Sequence, residues 1–194
     1  MPSTTSPMAR RLAQGGVLAA AAIVFARLGY KKTRVEDILE AAGIARRTFY
    51  KHFQNKDEVL AGIYEVATAE LLGAVRDHAE RGGGKPTRAI RGALDAYLDY
   101  HVENAALVRV LTEEGVRADS PLAPLRRRFR ADLVRMVGDA IEAETGRRHD
   151  PLLYLGLLSA LEGISLELLE SGAKRADVDR ARAVLHALLD RALA

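Results

Sequence analysis

The sequence predicts an all-α protein of about nine helices, because three of its features are typical of helices and not of strands. Apolar residues recur every three or four positions, so that they form stripes with the period of a helix. All six prolines lie at expected boundaries between such stripes, where the missing amide donor does not interrupt a helix. The chain has no Asn-Gly or Asp-Gly turn and no convincing alternation of apolar and polar residues, so β-hairpins are not expected.

The predicted helices follow one another with short connections, and several have a recognisable start or end. The first stops at Gly29, and the long fourth helix stops at the three glycines of residues 82–84. Asp150 is expected to cap the eighth helix, with Pro151 in its first turn, and Asp177 is expected to cap the ninth. In order, the predicted helices cover residues 9–28, 35–42, 46–52, 57–81, 87–103, 105–115, 122–144, 151–171 and 178–193.

The composition excludes several classes of protein. With 194 residues, of which 48% are apolar, the chain is long enough to bury a core and too apolar to be disordered. Because it has no cysteine, it cannot form a disulfide, a thiolate zinc site or a cysteine nucleophile. It has no run of 18 uncharged apolar residues, and residues 1–8 do not resemble a signal peptide, so we expect a cytoplasmic protein with no membrane partner.

The net charge of +3 conceals an uneven distribution of charge along the chain. Residues 1–56 contain ten basic and three acidic side chains, a balance of +7, whereas the remaining residues have a balance of −4. A basic N-terminal third joined to a mildly acidic remainder favours one part that binds a polyanion and another that does not.

Residues 33–53 have the pattern of a helix-turn-helix motif. Thr33 and Glu36 fit a capping box that opens a short helix. Gly43 follows that helix, where a residue with positive φ would let the chain turn sharply before the next short helix begins. Two short helices around one glycine predict a helix-turn-helix, although an ordinary helical corner gives the same pattern.

The second of these short helices has two different faces. At 100° per residue, Phe49 and Phe53 fall on one side and are expected in the core. Arg47, Thr48 and Lys51 then project from the opposite side. Because long cationic and hydroxyl side chains can reach base edges, this face suits a helix in the major groove of DNA. Tyr50 and His52 flank the buried stripe, where they could bind phosphates.

Three segments of the sequence resemble a known family of proteins. They contain Val17-Leu18-Ala19-Ala20-Ala21 with Phe25, Gly29 and Tyr30; Thr33, Val35, Ile38 and Ala41-Ala42-Gly43-Ile44; and Thr48-Phe49-Tyr50-Lys51-His52-Phe53 with Lys56. In this register, residues 10–65 resemble the DNA-binding domain of the tetracycline-repressor (TetR) family of bacterial transcriptional regulators. The rest of the chain resembles that family only in the number and length of its helices.

The resemblance implies a role for individual side chains of the motif. Phosphate contacts are expected from Thr33, Tyr50, His52 and Lys56, and the groove-facing set is Arg46, Arg47, Thr48 and Lys51, with Arg34 completing the DNA-binding residues. This chain departs from the family at two positions. Ala45 stands where the family commonly has serine, so a hydroxyl cap is missing, and Arg47 stands where a small residue is usual.

The resemblance also implies a division into domains. Residues 1–8 are expected to be a flexible tail, 9–56 the DNA-binding domain with its helix-turn-helix at about 33–53, and 57–194 a domain for ligand binding and dimerisation, joined through helix 57–81. Small residues in the eighth helix and an apolar set in the ninth favour a homodimer, and a two-fold pair can bind a palindromic operator. The expected interface residues are Gly156, Ser159, Ala160, Gly163, Ala181, Val184, Leu185, Leu188 and Ala192.

A pocket for a small-molecule effector is expected in the larger domain, as an apolar cavity with few polar groups. Its candidate residues are Tyr64, Tyr97, His101, Leu111, Phe129, Leu133, Met136, Tyr154, Leu158 and Glu162. Each of them could equally be part of the core, and His101 and Glu162 stand out because they are polar groups within apolar stretches. The arginines of 126–128 with Arg130 are interpreted as a solvated face.

Together these features predict a DNA-binding transcriptional regulator, a repressor that a hydrophobic ligand releases from double-stranded operator DNA. The alternative is a helical adaptor whose basic surface binds an acidic partner without sequence-specific DNA binding. An enzyme is not expected, since the five histidines form no HExxH pair and no glycine-rich phosphate loop follows a strand. No metal and no cofactor is predicted.

Overall fold

The computed structural model describes residues 7–81 and 86–193. Within these ranges the protein consists of nine α-helices and no strand, which confirms the all-α prediction. The helices are α1 Pro7–Leu28, α2 Val35–Ala42, α3 Arg46–Phe49, α4 Lys56–Arg81, α5 Pro86–Glu103, α6 Ala105–Gly115, α7 Leu122–Thr145, α8 Pro151–Glu170 and α9 Arg175–Leu193. The expected tail at 1–8 lies outside the described residues except for its last two, which begin α1, and the glycines of 82–84 lie outside them entirely.

The helices form two compact units. The N-terminal unit comprises residues 7–67 and 106–125, and the C-terminal unit comprises residues 68–81, 86–105 and 126–193. The N-terminal unit is therefore larger than the segment 9–56 expected from the sequence. It includes the first half of α4 and most of α6 with the loop that follows it.

The core of the N-terminal unit is built from α1, α2 and α4. Phe25 and Ile38 are fully buried, as are Val59 and Leu60 at the start of α4. At Gly62 a Cβ atom would lie 3.0 Å from a Leu18 methyl carbon, so the absence of a side chain lets α4 approach α1 closely. This packing holds the two short helices that follow α1 on a rigid support.

The ends of the two short helices differ partly from the prediction. Gly43 does have a positive φ of 62°, and its amide donates to the carbonyl of Glu40, so the predicted turn is confirmed. The predicted capping box of Thr33 and Glu36 is wrong: α2 is capped at Arg34, whose amide donates to the Asp37 carboxylate at 2.7 Å. The second short helix ends at Phe49 instead of residue 52, and tighter turns continue the coil to Phe53.

In the C-terminal unit, α5, α8 and α9 pack around one apolar cluster. Leu98 of α5, Leu168 of α8, and Val178, Ala181 and Leu185 of α9 form the buried set. Ion pairs between α5 and α9 flank this cluster, such as Arg182 to Asp99 at 2.6 Å and Arg91 to Asp190. These exposed pairs add little stability, so burial of the apolar cluster is the main force that joins the three helices.

The caps of α8 and α9 test two further predictions. Asp150 caps α8 as expected, since its carboxylate accepts from the Leu152 amide at 2.8 Å and Pro151 occupies the first turn. Asp177 does not cap α9, because that helix begins at Arg175 and Asp177 lies in its first turn, where a carboxylate favours the positive helix end. By length and apolar composition alone, α8 could cross a membrane, a test that core helices of soluble proteins also pass.

Candidate functional site

The C-terminal unit encloses an apolar cavity of about 310 Å³. Helices α4, α5, α7, α8 and α9 all contribute side chains to its wall. Six of the ten ligand-site candidates from the sequence lie in this wall: Tyr97, Phe129, Leu133, Met136, Tyr154 and Leu158. The volume is at the lower end of the range for small-molecule sites, so the cavity is large enough for one small apolar ligand.

The other four candidates do not line the cavity. Tyr64 and Leu111 are buried in the N-terminal unit. His101 stacks on the ring of Tyr97, with 3.8 Å between the ring centroids, and its Nδ1 lies 2.8 Å from the Tyr97 carbonyl. Glu162 accepts hydrogen bonds from Arg126 at 2.8 Å and from Arg130. Both polar groups thus have partners within the chain.

The Arg126–Arg130 region is therefore only partly the solvated face that the sequence suggested. Arg126 and Arg130 are partly buried against Glu162, and Arg130 also donates to the Ser159 hydroxyl at 2.8 Å. Arg127 and Arg128 are exposed, as expected.

Sequence reasoning missed the wall residues of α4 and, apart from Tyr97, those of α5. They are Leu71, Leu72, Arg76, Ala89, Ile90, Ala93 and Leu94. The available signal was the spacing of Leu72 and Arg76, which are four residues apart and therefore share one face of α4. Arg76 is the one charged residue among the described residues of the wall, and its side chain is exposed to solvent.

Two polar groups at the cavity are electrically neutral at physiological pH. The Tyr154 hydroxyl is buried and has no hydrogen-bond partner in the described part of the chain. Burial, and to a smaller extent the charge of Glu142, raise the pKa of Tyr154. Burial also lowers the pKa of His101, behind Tyr97, to about 4, so its imidazole is uncharged at neutral pH.

The helix-turn-helix region presents a basic surface over a buried apolar base. Phe49 is fully buried and Phe53 nearly so, whereas Arg47, Tyr50 and Lys51 are exposed. The predicted burial of Phe49 and Phe53 and the predicted exposure of Arg47 and Lys51 are therefore confirmed. Thr48 and His52 are half-buried at the edges of this surface.

Two other members of the predicted DNA-binding set are also exposed. Arg34 is exposed at the start of α2. Arg46 is exposed and forms an ion pair with Glu36 across the two short helices. Such an exposed pair is weak, so Arg46 can exchange the carboxylate for a phosphate at small cost.

Thr33 and Lys56 have contacts different from the phosphate contacts expected of them. Thr33 is 2% exposed, and its hydroxyl donates to the Gly29 carbonyl at 2.8 Å. The Lys56 ammonium donates to the carbonyls of Tyr30 at 2.9 Å, Thr33 at 3.0 Å and Lys31 at 3.4 Å. Since an ammonium has three protons, all the donors of Lys56 are engaged inside the unit.

The same junction also involves Tyr30 and the residues around α6. The Tyr30 hydroxyl donates to Asp57 at the start of α4. Burial, the hydrogen bond to Asp57 and the charge of nearby Glu114 raise the pKa of Tyr30. Glu114, at the end of α6, is buried and lies 3.7 Å from Arg117. The turn between α1 and α2 is thus fixed by side chains from α4, close to the end of α6.

The arrangement of this unit corresponds to a known family of regulators. The family model described as bacterial regulatory proteins of the tetR family matches residues 17–63, from α1 to α4, including both short helices and the exposed basic face of the second. This N-terminal part of the chain is thus similar to the TetR family of transcriptional regulators. Proteins of this family are regulators and not, in general, enzymes, and the adaptor alternative finds no support among the relatives.

Curated relatives resemble this chain mainly near its N-terminus. The dhaKLM operon transcriptional activator DhaS of Lactococcus lactis is 43% identical over 49 residues, which are 25% of this chain and 26% of DhaS. The transcriptional activator FasR of Mycolicibacterium smegmatis is 27% identical over 100 residues, 52% of this chain and 45% of FasR. The matches thus span less than half the length of these relatives.

The fold of the whole chain also has solved counterparts. The regulator PfmR of Thermus thermophilus has a TM-score of 0.66 and 28% sequence identity, with 90% of this chain and 97% of PfmR covered. The likeness extends over both units and agrees with the all-α architecture.

The predicted dimer residues do not form one exposed set, and Ala192, near the end of α9, is half-buried. Gly156, Ser159 and Gly163 of α8 and Val184 and Leu188 of α9 are exposed, and a Cβ at either glycine would meet nothing within 4 Å. By contrast, Ala181 and Leu185 are buried in the core of the C-terminal unit, and Ala160, Leu185 and Leu188 line the cavity. Ala181 and Leu185 are therefore covered within a single chain and cannot be the exposed residues expected at an interface.

Proposed function

We propose that this protein is a cytoplasmic transcriptional regulator whose homodimer binds a palindromic operator and represses transcription until a small hydrophobic ligand occupies the C-terminal cavity. The observation that carries the proposal is the exposed face of Arg47, Tyr50 and Lys51 over the buried Phe49 and Phe53. A rigid core holds this face outward, and long polar side chains on it can reach both base edges and phosphates.

Dimerisation is supported by the outer face of α8. This helix exposes small residues together with Leu152, which is 70% exposed. Val184 and Leu188 add exposed apolar surface on α9. An apolar face with small residues suits close packing against a second copy, and two copies would present two recognition helices to successive major grooves about 34 Å apart.

Release by a ligand is supported by the continuity of α4. This one helix begins with Lys56 in the N-terminal unit and supplies Leu71, Leu72 and Arg76 to the cavity wall. A ligand that binds more tightly to one position of α4 than to another would shift the population of that position. The spacing of the two recognition helices would change with it, and DNA affinity would fall.

DNA binding is tested by fluorescence anisotropy with the full chain and a labelled duplex that carries an inverted repeat from its own promoter region. We expect this duplex to bind at least a hundredfold more tightly than a shuffled one, with an affinity that falls steeply as salt rises. Arg88→Gln, at an exposed position of α5, is the matched control and should leave the affinity unchanged. Equal affinity for both duplexes would favour the adaptor.

The role of Arg47 is tested with a set of operators that each differ at one base pair. Arg47→Ala should weaken binding by about tenfold and relax the preference at one position, because a bidentate guanidinium contact to guanine is worth about 1–3 kcal/mol. Tyr50→Ala should weaken binding to every duplex alike. A uniform loss from Arg47→Ala would assign Arg47 to phosphates.

The sign of regulation is tested with a reporter gene behind the operator. Repression predicts that removal of the chain raises expression. DhaS and FasR are named as activators, and an activator would give the opposite result.

A further inference from the structure

The charge of the cavity wall is one-sided. Of the described residues that line the cavity, Arg76 is charged and none is Asp or Glu. The other polar side chains among them are those of Tyr97 and Tyr154, and the neutral imidazole of His101 stacks on Tyr97. The wall therefore offers an apolar surface with one positive charge.

Arg76 lies where a ligand in the cavity could contact its positive charge. Its side chain both lines the cavity and is exposed to solvent, so Arg76 lies at the edge of the cavity, where a charged group can keep its hydration. It forms no ion pair with any residue whose side chain the structure describes. By contrast, Arg126 and Arg130 of the same unit are paired with Glu162.

This wall discriminates between ligands of different charge. A cationic ligand would find no carboxylate among the described residues of the wall and would approach Arg76 with like charge. A neutral apolar ligand would fill the cavity without using the guanidinium. A ligand with an apolar body and a terminal carboxylate satisfies both parts, because a guanidinium binds a carboxylate through two parallel hydrogen bonds.

We propose that the ligand of this cavity is an amphipathic organic acid, whose apolar body lies among Leu72, Leu133 and Leu158 and whose carboxylate pairs with Arg76. The proposal rests on the cavity being the effector site of the proposed regulator. It adds the chemical class of the effector and the residue that selects it. At about 30 Å³ for each water-sized group, the cavity holds about ten such groups, which is the size of a medium-length acyl chain or a substituted aromatic acid.

The test compares three probes that share one ten-carbon chain: decanoate, decanol and decylammonium. Their dissociation constants are measured by isothermal titration calorimetry with the full chain in the absence of DNA, below the concentrations at which the probes form micelles. Because decanoate and decanol bury the same ten-carbon tail, the ratio of their affinities reports the contribution of the carboxylate charge. Arg76→Gln should lower the affinity for decanoate by about five- to tenfold and leave that for decanol unchanged, since a partly exposed charge-assisted pair has this magnitude.

Three controls complete the design. Arg88→Gln removes an exposed arginine of α5 that does not line the cavity, and it should leave the acid-to-alcohol ratio as in the wild type. Arg76→Lys should restore part of the acid preference because it restores the charge. Ala93→Phe fills space in the wall and should abolish binding of acid and alcohol alike, with the helical content checked by circular dichroism.

The outcomes are distinct from those of the DNA experiment. An unchanged acid-to-alcohol ratio in Arg76→Gln, tighter binding of decylammonium than of decanoate, or no binding of decanoate would each overturn the proposed ligand class. Operator binding by the ligand-free wild type would still stand in each case. Conversely, if the protein bound decanoate through Arg76 but did not bind its operator, the ligand class would be supported and the proposed function would be contradicted.

Discussion

Lys56 and Tyr30 are joined by two contacts at once. The ammonium of Lys56 donates to the Tyr30 carbonyl at 2.9 Å and lies 4.4 Å from the centre of the Tyr30 ring. The Tyr30 hydroxyl in turn donates to Asp57, the next residue of α4. This reciprocal arrangement fastens the turn before α2 to the first turn of α4, and it uses a lysine that the family resemblance would have assigned to DNA.

We expect Lys56→Met to lower the free energy of unfolding by about 2 kcal/mol, because it leaves partly buried carbonyls without a charged donor. Lys51→Met removes an exposed lysine five residues earlier and should change stability by less than about 0.5 kcal/mol. Urea titration measures both, and DNA affinity should fall for Lys51→Met. If Lys56→Met kept wild-type stability but lost DNA affinity, Lys56 would be a phosphate contact after all.

Gly43→Ala should lower the free energy of unfolding by about 1–2 kcal/mol. Its φ is 62° and nothing lies within 4 Å of an added Cβ, so the cost arises from backbone conformation and not from a clash. Gly16→Ala is the matched change inside α1, again with open space, and should stabilise the protein by up to about 1 kcal/mol. Thermal denaturation of the two variants should give shifts of opposite sign, and two shifts of the same sign would contradict this reading of Gly43.

Burial of His101 predicts a loss of stability in mild acid. Its folded pKa is about 4, against 6.5 in the unfolded chain, so between these values only the unfolded state takes up the proton. Its contribution is complete above pH 6.5 and falls by up to about 3 kcal/mol as the pH drops to 4. His101→Phe keeps a ring against Tyr97 and should flatten the pH dependence in that window. An NMR titration that gave His101 an ordinary pKa would contradict the prediction.

Tyr154→Phe should leave the ligand-free protein as stable as the wild type, or stabilise it by up to about 1 kcal/mol. The Tyr154 hydroxyl is buried without a partner, so its removal deletes a desolvated group and no hydrogen bond. Tyr30→Phe is the matched change at a hydroxyl that does have a partner, Asp57, and should cost about 1–2 kcal/mol. Equal losses in chemical denaturation would show that Tyr154 does have a partner, such as a bound water.

Local patterns predicted the helices and the orientation of the basic face. Period and proline placement located all nine helices of residues 7–81 and 86–193, since these signals depend on neighbouring residues alone. Phe49 and Phe53 are buried as their spacing predicts. The predicted capping box is absent because Thr33 is buried and Asp37, not its acidic neighbour Glu36, accepts from the backbone amide of Arg34.

Contacts between distant parts of the chain were beyond the reach of these patterns. An apolar face on a helix does not reveal whether it meets another helix or an empty space. The wall residues of α4 and most of those of α5 were therefore missed, whereas Tyr97 of α5 and half-buried Phe129 were found. The same ambiguity explains Ala181 and Leu185, which have the pattern of an interface and lie in the core. Lys56 reaches three carbonyls because α4 begins next to the turn between α1 and α2. The spacing of residues along the sequence does not predict that contact.

The return of residues 106–125 to the N-terminal unit affects how chimaeras of this protein can be made. Because the chain passes from one unit to the other three times, no single crossover point separates the part with the basic face from the part with the cavity. A hybrid that takes residues 1–67 from this chain and the remainder from a distant relative would bring a foreign segment against Tyr30, where Glu114 now lies. Grafts that change the operator should therefore exchange either the exposed residues of α3 alone or both pieces of the unit together.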